Sequence, residues 1–168
     1  MTEYREGRRV LRRTAARVVL IAGGTHTLLV HGRNPHQPAA GSWWFTPGGG
    51  CEPDESLAAA ARRELYEETG IADLTLGPVV WTRSVAHPYL KDQFLCQEEH
   101  YFVGFTDSRQ LRQVAWTDEE RRQLLGMRWW DADELAATTE TILPPILPRS
   151  LPRLIAGDYP PSPVHLDR

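Results

Sequence analysis

Residues 48–71 read GGGCEPDESLAAAARRELYEETGI, and the rest of the chain is organised around them. Glu64, Glu67 and Glu68 stand at i, i+3 and i+4, which on a helix is one face. Ala58, Ala61 and Leu65 repeat at three and four on a neighbouring face, which asks for a core. No lysine stands among the glutamates, although like charges four apart cost a helix about 0.3 kcal/mol. Gly48, Gly49 and Gly50 before the helix let backbone approach a ligand closely, and Thr69-Gly70 ends it with glycine at the expected place. A solvated acidic face is the ordinary reading of Glu-x-x-Glu-Glu; glycines on both sides argue for a site. Carboxylates beside open backbone carbonyls suit a hard cation, Mg²⁺ or Mn²⁺, rather than zinc. Magnesium keeps waters and substrate phosphates in its shell, so the pattern points to phosphate chemistry.

At 168 residues the chain is expected to form one domain with a sizeable core. A formal net charge of −3 argues against general nucleic-acid or membrane binding, which wants a basic face. Cys51 and Cys96 make neither a disulfide framework nor a metal spacing. No apolar leader and no long apolar run stand out, so a cytoplasmic protein is expected.

Residues 1–13 form a basic N-terminal segment, with Arg5, Arg8, Arg9, Arg12 and Arg13; an early strand carrying arginines to solvent is expected. Residues 15–22, AARVVLIA, read as a buried strand, Gly23-Gly24 as its turn and residues 27–31 as its hairpin partner. A loop from Arg33 to Ser42 leads into Trp43-Trp44-Phe45-Thr46, a short strand that must show an aromatic on each face. One of those faces can stack a nucleobase or simply pack. Residues 74–84 and 94–105 read as strands, with Trp81, Phe94, Tyr101, Val103 and Phe105 as core positions. Glu98 and Glu99 interrupt the second run and are unexpected there unless that face meets solvent or metal. Residues 107–125 read as a polar loop with a short helix around Asp118-Glu119-Glu120. Residues 127–130 form a last strand, Asp131 caps a helix through Ala137, and residues 143–155 form a final helix containing Pro148 and Pro152. The domain is therefore placed at 14–156, and the Pro-rich tail at 157–168 is expected to lack regular structure.

The stretch also resembles the signature box of the Nudix hydrolases. Gly49, Glu55, Arg63, Glu64, Leu65, Glu67, Glu68, Gly70 and Ile71 match it without departure. At average residue frequencies a chance match has odds of roughly one in a billion per window. The resemblance implies an α/β/α sandwich, in which a mixed curved sheet lies between helices and the box forms a loop–helix–loop metal site. It implies a divalent-metal-dependent hydrolase that cleaves the pyrophosphate of a nucleoside diphosphate linked to another group, with Mg²⁺ or Mn²⁺ as cofactor. The implied substrate is a nucleotide sugar, ADP-ribose, a dinucleoside polyphosphate or an ordinary or oxidised nucleoside triphosphate. The alternatives are a catalytically silent nucleotide sensor and an RNA 5′-end pyrophosphohydrolase. The expected partner is a small nucleotide, with no stable nucleic acid and no membrane, and the family admits homodimers.

Carried over residue by residue, Glu64, Glu67 and Glu68 become metal ligands, with the Gly48 carbonyl beside them. Arg63 orients the carboxylates together with Glu55, while Gly49 and Gly70 serve the loop geometry. A surface ion pair for Arg63, and a helix-dipole role for Glu55, are the plainer alternatives. The family's general base comes sometimes from the box and sometimes from outside it; Glu99, then Glu98, are the outside candidates. Arg33, Trp44 and Phe45 are the candidates for substrate contact. Pro88 and Tyr89, 17 and 18 positions after Ile71, point to two different substrate groups and decide nothing.

Overall fold

The computed structural model describes residues 2–35, 37–89, 91–112, 116 and 118–167. Its centre is a pair of long strands, β2 (Arg8–Ala22) and β7 (Gln93–Thr106), which run parallel and in register from Arg9↔Gln93 to Ala22↔Thr106. β6 (Thr75–Pro88) lies antiparallel against β7, and β3 (His26–Arg33) folds back from β2. That hairpin turns on Gly23 and Gly24, with φ of 60° and 65°. Two consecutive positive φ values make the tight reversal that matches strand twist, and glycine adopts them without strain.

β3 then leaves β2 and pairs with β4 (Ser42–Phe45) on one side and β8 (Leu124–Asp131) on the other. The gap is filled by β5 (Gly48–Gly50), which pairs antiparallel with Ala15–Arg17 of β2. Short strands β1 (Tyr4–Arg5), β9 (Ile142–Leu143) and β10 (Val164–Leu166) extend the sheet, giving ten strands among the described residues. The sheet is mixed and curved, as expected.

Alternation along β2 supplies both cores. Ala16, Val18 and Leu20 face helix α1 (Leu57–Thr69), meeting Ala60, Ala61 and Leu65. Val19 and Ile21 face the opposite side, meeting Leu135 of α3 (Ala132–Ala137) and Leu147, Leu151 and Leu154 of α4 (Leu147–Ile155). A sheet sandwiched between helices is the outcome. Burying a side chain such as Leu65 completely contributes about 2 kcal/mol. The helix face differs in one detail from the expected stripe: Ala58 is exposed, and Leu57 and Ala60 take its place toward the core.

Trp81, Phe94, Tyr101 and Val103 are buried, with Phe105 packed against them. Asp131 caps α3, its carboxylate accepting from the Asp133 N–H at 2.9 Å. α4 starts later than expected, at Leu147, because Pro148 is tolerated only in a first turn. The short helix α2 (Asp118–Gln123) appears where expected, whereas Gln113, Val114, Ala115 and Thr117 lie outside the described residues.

The early strand that carries arginines to solvent is present: residues 8–13 form the first part of β2, where backbone pairing with β7 holds them and Arg9 and Arg12 reach solvent. One expectation about the ends is corrected. The tail is not irregular throughout: Val164–Leu166 pairs with Trp81–Arg83 of β6, because β6 has an open edge there that needs hydrogen-bond partners. No helix among the described residues is long and apolar enough to cross a membrane.

Candidate active site

Ser56 starts α1 by accepting the Ala59 N–H at 3.1 Å, and Gly70 ends it in the left-handed region with φ of 74°. These caps fix the rotation of the helix, so that Glu64 and Glu68 point at β5. The Glu68 Oε2 accepts the Gly48 N–H at 2.8 Å. The Glu64 carboxylate lies so close to Gly49 that a Cβ there would sit 2.5 Å from Glu64 Cδ. Gly48 is equally constrained from the other side: with φ of 132°, a Cβ would fall 2.8 Å from the Arg17 Cα. Both glycines are demanded by close approach.

Arg63 binds the pieces together. Its Nε and Nη2 donate to the two Glu55 oxygens at 2.9 and 2.8 Å, and Nη2 also donates to the Gly50 carbonyl at 3.0 Å. Its Nη1 donates to Glu64 at 2.8 Å and reaches Glu67 at 3.4 Å. Loop, strand and helix thus share one guanidinium, whose planar fork suits paired carboxylates. The Arg63 hydrogen bonds, followed by the Glu52 N–H, hold the Glu55 carboxyl at about 2, far below the usual carboxylate range. The same bond to Glu55 raises Arg63.

Glu67 is more than half exposed and has only the 3.4 Å contact to Arg63. Among the described residues no three His, Cys, Asp or Glu side chains gather as a metal cage. The reason lies in the bonds just given: Arg63 stands between Glu64 and Glu67, while Glu68 is turned onto Gly48 N–H. The donor set still fits a hard cation, because two carboxylates converge on one backbone segment and a third is open beside them. The Gly48 carbonyl accepts from Arg17 Nη1 at 2.8 Å, and its second lone pair remains.

Behind β5 lies a group of charges of which the sequence singled out Glu99 and Arg13 but not Arg17 and Arg83. Glu99 is 5% exposed and accepts from Gln97 Nε2 at 2.9 Å, Tyr101 O–H at 2.5 Å and Arg17 Nε at 3.2 Å. Burial alone would raise Glu99, but the Arg17 charge, the Tyr101 hydroxyl and Arg83 outweigh it and the group is lowered. Burial, and then the Glu99 charge, raise the Tyr101 hydroxyl. Two donors meet Oε1 and the Tyr101 hydroxyl meets Oε2, so Glu99 is held as a buried anion away from open solvent. Glu98 points to the other side of β7, exposed, and accepts the Ser84 hydroxyl at 2.9 Å. Strand alternation separates the two residues. One signal for this group was present in the sequence: Arg17 is the charged residue inside AARVVLIA.

The substrate candidates divide. Trp44 is a core residue, 8% exposed, stacked on His31 at 4.3 Å and edge-on to Trp130, with its indole N–H donating to Glu140. No open face remains for a base to stack on. Arg33 is exposed, and its Nε donates to the Arg122 carbonyl, not to the box. Phe45 is half-buried with the Arg17 guanidinium 5.7 Å from its ring centre, which places it beside the glycine strand.

With this geometry in view, the NUDIX domain family matches residues 11–150. The chain belongs to the Nudix family. A curated Nudix relative, the phosphatase NudJ of Escherichia coli K12, is 30% identical over 92 residues, covering 55% of this chain and 54% of NudJ. The chain thus spans about half the length of the curated relatives it matches. Solved Nudix-type structures share the fold. A Caenorhabditis elegans Ap4A hydrolase aligns with TM-score 0.59 and 19% identity, over 86% of this chain and 98% of that one. An ADP-ribose pyrophosphatase of Streptococcus suis aligns with TM-score 0.56 and 13% identity, over 92% and 98%. A MutT protein of Methanosarcina mazei Go1 gives 0.56 and 18% over the same shares.

Proposed function

We propose that this chain is a divalent-metal-dependent hydrolase of the pyrophosphate linkage in a nucleoside diphosphate joined to another group. The observation that carries the reading is the convergence of Glu64 and Glu68 on the Gly48–Gly49 backbone, held by the Arg63–Glu55 pair. Names among the relatives, ADP-ribose pyrophosphatase and Ap4A hydrolase, belong to the same substrate class. A bound Mg²⁺ or Mn²⁺ would neutralise phosphoryl oxygens and lower the pKa of a water. Glu64, Glu68 and the Gly48 carbonyl are the groups that would hold it, while Glu67, expected as a third ligand, is given another part in this reading.

The chain's own part is positioning. Arg63 keeps Glu64 aligned and ties it to β5 through the Gly50 carbonyl. Glu67 is the exposed carboxylate able to take a proton from the attacking water at its Oε atoms, whereas Glu99 is buried among donors. We assign it as the base in place of Glu99.

The test is product release from a panel of ADP-ribose, ADP-sugars, diadenosine polyphosphates, NADH and nucleoside triphosphates including 8-oxo-dGTP. Each is run with Mg²⁺, with Mn²⁺ and with chelator, beside Glu67→Gln. Metal-dependent release that the variant loses supports the reading and names the substrate. No release from any compound, with ligands still raising the melting temperature, would make the chain a nucleotide sensor.

A further inference from the structure

The apolar cluster under α3 and α4 ends at Trp81 and Tyr101, but the sheet face does not. By register the same face continues through Arg17 and Tyr101, then Arg83 and Glu99, then Arg13 and Gln97. Three guanidiniums therefore stand around one buried carboxylate, with the Glu64 and Glu68 charges acting from across β5, and they are not equally engaged. Arg17 is fully engaged, with Glu99 on one side and the Gly48 carbonyl on the other. Arg83 makes only a 3.8 Å ion pair with Glu99, and its buried Nε has no hydrogen-bond acceptor. Arg13 donates Nε to Gln97 and has the Tyr89 ring 5.7 Å away; among the described residues no carboxylate comes within ion-pair distance, and the Glu64 and Glu99 charges act on it from further off. Burial lowers the Arg13 pKa, so its charge is held against a desolvation cost.

A buried donor without an acceptor is destabilising, and so is a surplus of like charge on a half-buried floor. The Glu64 and Glu68 charges across β5 offset part of the surplus, but they leave the Arg83 Nε without an acceptor. The place accounts for what remains: the Arg13 Cδ would lie 3.7 Å from a Cβ at Gly50, and Arg17 touches Gly48, so the surplus stands directly behind the strand that faces Glu64 and Glu68. We propose that Arg13 and Arg83, set in position by the Arg17–Glu99 pair, form an anion subsite for the substrate phosphate that is not attacked. The inference rests on the pyrophosphohydrolase reading for the identity of the anion. An oligophosphate supplies several acceptors at once, and guanidinium forks match phosphate oxygens in pairs. The subsite would favour substrates with two or more linked phosphates over monophosphates.

Calorimetric titration with inorganic pyrophosphate and with orthophosphate, both in chelator, tests this on the whole chain without turnover. Wild type is expected to bind pyrophosphate more tightly than orthophosphate, and Arg83→Gln or Arg13→Gln to weaken pyrophosphate about tenfold. Unliganded Arg83→Gln is expected to melt within about 3 °C of wild type or above it, because it gives up one long ion pair and a buried Nε that had no acceptor. A merely structural Arg83 would instead lower the melting temperature and leave affinity alone. If Arg83→Gln does not fold, Arg83→Lys replaces it, and unchanged pyrophosphate affinity there refutes the subsite. No binding to wild type at about 1 mM refutes it as well. Turnover lost in Glu67→Gln but indifferent to both arginines removes the subsite and leaves the function. Arginine-dependent pyrophosphate binding with no turnover on any substrate removes the function and leaves the subsite.

Discussion

Arg17 and Glu99 face each other across the parallel strands β2 and β7, with Nη2 3.2 Å from Oε1, and the same guanidinium holds the Gly48 carbonyl at 2.8 Å. The pair thereby joins the buried interior of the sheet to the glycine strand of the candidate site. Glu99→Gln leaves Arg17 and Arg83 without a counter-charge in a desolvated setting. The expected loss is about 3 kcal/mol of stability, read from urea unfolding. Turnover per folded molecule should fall far less than in Glu67→Gln, the remaining loss reporting displacement of the Arg13 and Arg83 guanidiniums that Glu99 helps to place. A Glu99→Gln protein of normal stability and no activity would restore Glu99 as the base.

Adjacent glycines should fail differently. Gly49→Ala places a methyl against the Glu64 carboxylate, the mobile end of a side chain, so the fold survives and the carboxylate moves. Activity should fall at least about tenfold with an almost unchanged melting temperature. Gly48→Ala drives a methyl into β2 backbone from a φ of 132° and should cost on the order of 3 kcal/mol. Melting curves and initial rates of the two variants check the contrast.

Arg63→Lys keeps the charge and loses the fork that spans Glu55, Glu64 and the Gly50 carbonyl. Metal titrations of turnover should show kcat down about 10- to 100-fold and a higher metal requirement. Equal kcat in the two proteins would mean that Arg63 is only a surface ion pair.

Glu55 carries an acid sensitivity. Its carboxyl is held at about 2 against an ordinary 4.5, so the unfolded chain binds the proton first. The contribution of Glu55 to stability is complete above the unfolded value and is lost as pH falls through this window toward the folded one. The stability gap between wild type and Glu55→Gln should therefore shrink as pH falls from about 5 to about 2.5. A gap independent of pH over that range would mean that the Arg63 pair does not perturb Glu55.

Local patterns were legible because they have local causes. The box helix follows from a Ser56 cap, a Gly70 stop and periodic alanines; the first hairpin follows from Gly23-Gly24. Asp131 announces α3 in the same way. The box match likewise rests on residues close in sequence, and it carried the family and the sandwich. Partners distant in the chain were not legible. Nothing near Glu99 says that Arg17, 82 residues earlier, will neutralise it; the parallel register of β2 and β7 decides that. The same register turned two adjacent glutamates into one buried anion and one exposed side chain. Trp44 went to the core, not to a ligand, because β4 presents that face to His31 and Trp130. The tail gained a strand because β6 has a free edge beside it. Sequence by itself determined the helix and its acidic face; tertiary structure decided which charges are buried together, because charge neutralisation acts through space and not along the chain.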